Sequence, residues 1–444
     1  MKRWWALCLA LTLLFPAGAL AEKAGAFPDV FRVEYKVKER EINGGRCFVS
    51  KEYVSTALPQ VDEEINGLVD AFDDALSPLL TPDPSKNPKR NSRLDIHVVN
   101  TRSGESAVSF LVLARESFRR TQKQSPIAAR VFDMETGKRI TLPDLFEEDS
   151  EAWDVIAETV YEELNAYFPK LEADSAALAA LCTKEGLLAT PFLLGPVSLS
   201  LHYEAGALYP GKASLMRVTV PYHALRGMMT EYGRRQTDNS MYKMAALTFD
   251  DGPAYSTTAT LLNNLRHNGA QATFFLVGER IPEYTDIVLR ENDENHSLQS
   301  HHYKHSDTSK STIPRIQAYT QRMEDIMTDT FGLAPWMLRA PYGIFDYFIQ
   351  AKVNLPLIEW DVDTKDWTGK SSAAVLSVVR NETKDGSILL MHDIKDNTPE
   401  SGRLAAQWLY ENGYMCVTVE ELFIQYREEM AANKIYYSVD TGAK

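Results

Sequence analysis

The sequence predicts an α/β protein, a distorted (β/α) barrel preceded by a smaller α+β domain. Three observations carry this expectation. At 444 residues the chain exceeds what one ordinary core organises, so two domains are expected. After about residue 243, apolar runs of strand length alternate with helix-length amphipathic stretches, the pattern of a parallel sheet that is closed or nearly closed. Before that point, strand-like runs come in pairs, with helical stretches set between the pairs.

Taken in chain order, the first element is a targeting segment. Lys2 and Arg3 precede an apolar run from Trp4 to Phe15, followed by Pro16 and the small-residue stretch "AGALA" ending at Ala21. A basic start, a short apolar middle and small residues at the end predict a secretory leader over residues 1–21. The run is short for a bilayer crossing, so no membrane span is expected once the leader is removed; an uncleaved anchor is the alternative. Cys8 falls inside the leader. Cys47, Cys182 and Cys416 remain, too widely spaced for a disulfide framework, and no C-x-x-C metal pattern is present.

Residues 22–235 are expected to form the α+β domain. "FRVEYKVKER" and "RCFVSKEYV" flank the turn "INGG" as a hairpin. "EEINGLVDAFDDALSPLL" carries Ile65, Leu68, Val69, Phe72 and Leu76 at helical spacing. The polar stretch 81–93 reads as a loop, "LDIHVVN" and "AVSFLVLAR" as a second strand pair, and "AWDVIAETVYEELNAYF" as a helix. "VSLSLHYEAGALYPG" and "SLMRVTVPY" supply late strands. Residues 233–243, "GRRQTDNSMYK", are polar and aperiodic and mark the boundary.

Residues 236–444 form the second domain. The expected strands are "MAALTF", "ATFFLVG", "WMLRAP", "LPLIEWDV", "SILLMHD" and "YMCVTV". Helical stretches separate them: "TTATLLNNLRHNG", a segment ending near residue 292, "IFDYFIQAKV", "SAAVLSVVRNETKDG" and "RLAAQWLYENG". In such folds reacting groups gather at the carboxyl ends of the strands. Asp250, Asp251, Arg339, Asp366 and His392 all fall at or just past such an end.

Composition narrows the function. The chain is 44% hydrophobic and 24% charged, with a formal charge of −14, which argues against nucleic acid as a partner. The stretch "LTFDDGP" ends an apolar strand with two adjacent carboxylates, which repel unless they cap a turn or hold a cation. Four of the nine histidines lie between residues 296 and 305: His296, His301, His302 and His305. His301 and His305 are spaced i, i+4, which on a helical turn puts both rings on one side. Two histidines with a carboxylate from Asp250 or Asp251 make a ligand set for a divalent cation such as Zn²⁺. The second carboxylate can then take a proton from a polarised water.

"TFDDGP", "SHHYKH", "RAPYG", "DVDTKDW" and "ILLMHD" occur in the order and approximate spacing of the five motifs of the polysaccharide deacetylases, the NodB-homology family (carbohydrate esterase family 4). The chain resembles this family over about residues 243–425. The resemblance implies a metal-dependent deacetylase, most consistent with zinc, acting on an N-acetylated cell-wall glycan. It implies Asp250 as general base and Asp251, His301 and His305 as metal ligands. Arg339 would orient the base, the backbone N–H of Tyr342 would stabilise the oxyanion, and His392 would act as general acid held by Asp366. Trp367 and Leu390 would wall the pocket for the acetyl methyl. Two departures stand out. His302 occupies a position where the family carries Ser or Thr, and is expected to face solvent, with a place as an extra metal ligand the alternative; Asn295-His296-Ser297 replaces a Gly-containing stretch.

"DLFEEDSEAWDVIAE" and the stretch from "SLSLHYE" to "MMTEYG" resemble the DUF3298-type domain that accompanies some secreted bacterial peptidoglycan deacetylases. That resemblance implies a wall-glycan or protein-binding module, or a spacer; His97, His202 and His223 lie far apart there and form no catalytic set. Peptidoglycan is the expected substrate, with chitooligosaccharide, another exopolysaccharide and acetylxylan left open. A non-catalytic binding or sensing protein would be marked by loss of Asp250, a metal ligand or His392. All are present.

Overall fold

The computed structural model describes residues 27–81, 92–117 and 126–441. The expected leader, with Cys8, and most of the 81–93 loop lie outside the described residues.

Two sheets build the first half. Strands β1 (Glu34–Ile42), β2 (Cys47–Ser55), β3 (Arg93–Ser103), β4 (Ala107–Ser117), β5 (Ile127–Asp133) and β6 (Lys138–Ile140) lie side by side in that order. Only β2 and β3 pair in parallel, and helix α1 (Pro59–Leu76) makes the crossover between them. Pro59 opens α1, and Val61, Ile65 and Val69 at i, i+4, i+8 form its buried stripe. Helices α2 (Leu142–Leu145), α3 (Ala152–Ala166), α4 (Ser175–Leu181) and α5 (Lys184–Ala189) lead to a three-stranded antiparallel sheet of β7 (Phe192–Leu194), β8 (Ser198–Glu204) and β9 (Leu215–Pro221). Helices α6 (Tyr222–Leu225) and α7 (Glu231–Gln236) follow, so the first part of the polar 233–243 stretch is helical. The rest is tied down: Asn239 is buried and donates to Ser103 Oγ (3.1 Å) and Pro196 O (2.7 Å).

The second half is the expected parallel sheet. Strand β10 (Lys243–Asp250) is flanked by β11 (Thr273–Leu276) and β15 (Ser387–His392), and its first residues also pair with β16 (Tyr414–Val417). From Met244 to Asp250 every residue of β10 is buried, as a strand covered on both faces requires. Outward from β11 lies β12 (Ser297–Ser300). Leu338 follows as an isolated bridge between Ser300 and Leu357, so "WMLRAP" forms no full strand. "LPLIEWDV" splits into β13 (Leu357–Ile358) and β14 (Val362–Asp363). The first pairs with the Leu338 bridge and with β17 (Ile435–Tyr436), the second with β15. The pairings therefore run round a circuit, closed by residues 357–363.

Helices cover the circuit: α8 (Tyr255–His267), α9 (Thr285–Asp293), α10 (Ile313–Phe331), α11 (Asp346–Gln350), α12 (Ser372–Glu382), α13 (Thr398–Glu411) and α14 (Val419–Tyr426). Helix α10 and strand β12 were not anticipated. "SLQS" is too polar and short to stand out, and α10 carries its buried residues, Ile316, Met323, Met327 and Phe331, at wide intervals. It stops at Gly332 (φ +78°), where a Cβ would also meet Tyr167 of the first half at 2.5 Å.

The two halves share a core. Phe31, Val61, Ile65 and Phe110 belong to the same apolar cluster as Met244, Val417 and Phe423. Each such side chain contributes about 1.5–3 kcal/mol when fully buried. No described helix is long and apolar enough to cross a membrane.

Candidate active site and metal centre

The motif residues meet at the carboxyl end of the parallel sheet. Asp250 is the last residue of β10 and stands in register with His392, the last residue of β15. Asp251 follows at φ +76°, a left-handed turn that swings its side chain away from the strand direction. Gly252 completes the turn because a Cβ there would lie 2.1 Å from Asp393 Oδ2. The turn is held by Val277 N–H on Gly252 O (3.0 Å), Arg280 Nε on Pro253 O (2.9 Å), and Thr258, which accepts from Ala254 N–H and donates to Asp393.

His301 lies one residue past β12, and 301–305 is an irregular loop rather than the helical turn its spacing suggested. The loop still brings both rings to Asp251. His301 Nε2 is 3.5 Å and His305 Nε2 3.2 Å from Asp251 Oδ1, with ring centroids 5.2 Å apart. Asp251, His301 and His305 are the one group among the described residues whose ligand atoms lie close enough to share an ion, within 4.8 Å of one another.

The donor set fits a divalent cation. His301 Nδ1–H donates to Arg339 O (2.8 Å), which leaves Nε2 facing the cluster. Asp251 Oδ1 is buried and accepts no hydrogen bond. Burial raises the Asp251 carboxyl, but His301 and His305 outweigh it and bring it down to about 2. Burial lowers the His301 imidazole, but Asp250 and Asp251 outweigh it and raise it; the proton they favour stands where a cation would satisfy the same carboxylates. Burial lowers His305, favouring the neutral ligand form.

Asp250 is oriented from one side. Arg339, fully buried, donates from one terminal nitrogen to Asp250 Oδ1 (2.9 Å) and Thr248 Oγ1 (2.6 Å). Its other nitrogens reach Ile358 O (3.0 Å) and Glu359 O (2.9 Å), so the guanidinium has no freedom to turn. Asp250 Oδ2 is 3.9 Å from His301 Nε2.

His392 is held by Asp366. The Asp366 carboxylate accepts from His392 Nδ1–H (2.9 Å), His392 N–H (2.7 Å), Trp367 N–H (2.9 Å) and Thr398 Oγ1–H (3.0 Å). Burial lowers the His392 imidazole, but the Asp366 bond and the nearby carboxylates outweigh it and hold it above the ordinary histidine range. Its Nε2 is left free of Asp366 and is the atom that can donate.

The remaining residues differ in exposure. Trp367 is 51% and Tyr342 64% exposed, whereas Leu390 is buried. Tyr342 takes a left-handed backbone (φ +63°), and its ring packs edge-on against His305 at 4.4 Å. His302 does not face solvent. It is 1% exposed, packs against Phe348 and Tyr319, and aims Nε2 at Ile316 O (3.3 Å), which turns it away from the ligand set. Asn295 sits at φ +67°, a conformation Asn tolerates among non-glycine residues.

Supporting residues escaped the sequence reading. Thr248 is two residues before Asp250 and so shares its strand face, a signal the alternation contained. Asp393 closes the "ILLMHD" motif but was given no role, and Thr258 and Thr398 come from separate helices and carry no local pattern. Burial pushes the Asp393 carboxyl up to about 7. Two cavities lie elsewhere, one of about 480 Å³ beside Phe27, Arg102 and Tyr410 and one of about 590 Å³ beside His223, Trp336 and Phe423.

Comparison with known proteins places the chain among deacetylases. Residues 237–355 match the family described as polysaccharide deacetylase. Peptidoglycan-N-acetylglucosamine deacetylase PgdA of Listeria monocytogenes is 34% identical over 195 residues, 44% of this chain and 41% of that protein. Peptidoglycan-N-acetylmuramic acid deacetylase PdaC of Bacillus subtilis is 29% identical over 189 residues, 43% of this chain and 40% of that protein. A peptidoglycan-N-acetylglucosamine deacetylase of Bacillus cereus is 31% identical over 188 residues, 39% of this chain and 67% of that protein. The chain thus matches about two fifths of the length of PgdA and PdaC.

Proposed function

Since this chain belongs to the polysaccharide deacetylase family, we propose that it is a secreted, metal-dependent N-deacetylase that hydrolyses the acetamido group of N-acetylated sugars in peptidoglycan. One observation carries the reading: a buried carboxylate oxygen without a hydrogen bond, Asp251 Oδ1, lies between two imidazole nitrogens, with the Asp250 and His392 side chains at the same strand ends. Asp251, His301 and His305 would hold the cation. A divalent ion there, zinc by the character of this nitrogen and oxygen set, would polarise the acetamide carbonyl and acidify a water.

The chain's own residues do the rest. Asp250, fixed by Arg339, takes the proton from the attacking water as its oxygen bonds to the carbonyl carbon. The Tyr342 N–H faces the charge that develops on the carbonyl oxygen. His392 Nε2–H delivers a proton to the nitrogen as the carbon–nitrogen bond breaks, releasing acetate and a free amine. Asp366 keeps that proton on the ring and the ring in place. Trp367 and Leu390 border the acetyl methyl. The names of PgdA and PdaC support peptidoglycan as substrate, and residues 1–21 support export.

The test is acetate release from purified peptidoglycan, chitin oligomers and acetylated xylan, each with and without a chelator. Peptidoglycan is expected to be fastest, with release abolished by chelator and restored by Zn²⁺. Faster release from another glycan moves the substrate assignment. No release from any of them by the metal-loaded protein sinks the reading.

A further inference from the structure

The stretch Glu291–His296, "ENDENH", runs from the last turn of α9 through residues 294–296 into β12, and all six of its polar residues are buried. Burying such a run is unfavourable by several kcal/mol per ionised group unless partners meet it. Glu291 has no hydrogen-bond partner and burial pushes its carboxyl up, toward the neutral acid; most partners of the other five come from the first half. Arg115 of β4 forms an ion pair with Asp293. Asp293 Oδ1 accepts from Leu215 N–H (3.3 Å), and Asn292 donates to Leu215 O (2.8 Å). Arg217 of β9 donates to Asn295 Oδ1 (3.3 Å) and His296 O (3.5 Å). Glu294 accepts from Arg266 (2.6 Å), and Arg266 in turn donates to both oxygens of Glu52 on β2 (2.6 and 2.9 Å).

The connector runs directly into the candidate metal centre. His296 is followed by the four residues of β12 and then by His301. Beyond β11, the opposite edge of β12 is held by the single Ser300–Leu338 bridge and by Gln299 Oε1, which accepts from Trp336 N–H (3.0 Å) and Met337 N–H (2.9 Å). The left-handed Asn295 sets the angle at which the strand departs, and Arg217 holds that side chain.

We propose that Arg115 and Arg217 of the first half are positioning residues for the metal centre, clamping the 291–296 connector so that β12 delivers His301 to Asp251. On this view the first half is an intramolecular partner of the ligand set as well as a companion domain. The inference rests on the assignment of Asp251, His301 and His305 as ligands, but not on the reaction they support.

The experiment uses the full chain and Zn²⁺ alone. Zinc affinity is measured by competition with a chromophoric chelator, and amide exchange is followed across 291–301. His301→Ala marks the affinity left when a ligand is missing. The Arg115→Ala/Arg217→Ala pair is expected to bind zinc about tenfold more weakly, as loss of groups that orient ligands does. Faster exchange over 297–301 should accompany this, and Arg217→Lys should recover part of the affinity. Should the pair fail to fold, Arg217→Ala alone gives the same readout. Affinity within twofold of the parent while exchange at 291–296 rises would overturn the proposal, because the clamp would be open and the site unmoved. Parent protein that binds zinc yet releases no acetate would sink the deacetylase reading and leave the clamp standing.

Discussion

Two regions of this molecule bury charge, and they do so in opposite ways. At the seam between the halves, Glu52, Arg266, Glu294 and Arg290 meet one another, so that each charge is answered by a charge of the other sign. At the strand ends, Asp250, Asp251 and Asp366 gather with His301, His305 and His392, and the set is left incomplete. Asp251 Oδ1 accepts no hydrogen bond, and His392 Nε2 points away from its carboxylate partner. The seam is closed electrostatics and serves stability. The strand-end cluster is open electrostatics, which a fold keeps only where something else arrives to complete it.

Four substitutions break or sharpen this contrast. Asp250→Asn should lower kcat by about 10²–10⁴-fold, the share of a general base, while zinc content measured by atomic absorption stays unchanged. A loss of zinc would instead make Asp250 a ligand. Arg266→Ala should destabilise the fold by about 3–5 kcal/mol in urea unfolding, because it strands Glu52 and Glu294 in the seam. A change under 1 kcal/mol would mean that water reaches those carboxylates. Gly332→Ala, which places a methyl against Tyr167 in a left-handed turn, should cost about 1–3 kcal/mol by the same measurement. The smallest effect is on pH. In the proposed role His392 must carry its proton, so activity is expected to fall as pH rises through its raised value. Asp366→Asn removes the main raising partner, and the alkaline limb of kcat against pH should move to lower pH. An unmoved limb would assign it to another group.

The contrast also explains what could be read in advance. Motif residues were legible because chemistry restricts them to a few side-chain types at strand ends, and strong parallel strands such as β10 and β15 are continuous apolar runs. The seam was not legible. Glu52, Arg115, Arg217 and Glu294 look like ordinary solvated charges in one dimension, and only the docking of two distant sheets buries Glu52, Arg115 and Glu294 and half-buries Arg217. The same blindness misplaced His302, whose burial depends on Phe348 in a helix more than forty positions away. The irregular loop at 301–305 shows the converse: the i, i+4 spacing marked two imidazoles as neighbours, which they are, while implying a helix that is absent.

Arg339 grips the carbonyls of Ile358 and Glu359, at the gap where the last segment of sheet passes from one neighbour to the other. The same guanidinium grips Asp250. The hem of the sheet and the aim of the carboxylate are thus tied to a single knot. Loosening that hem by a change far from any reacting atom should show itself as slowed turnover before it shows as melting.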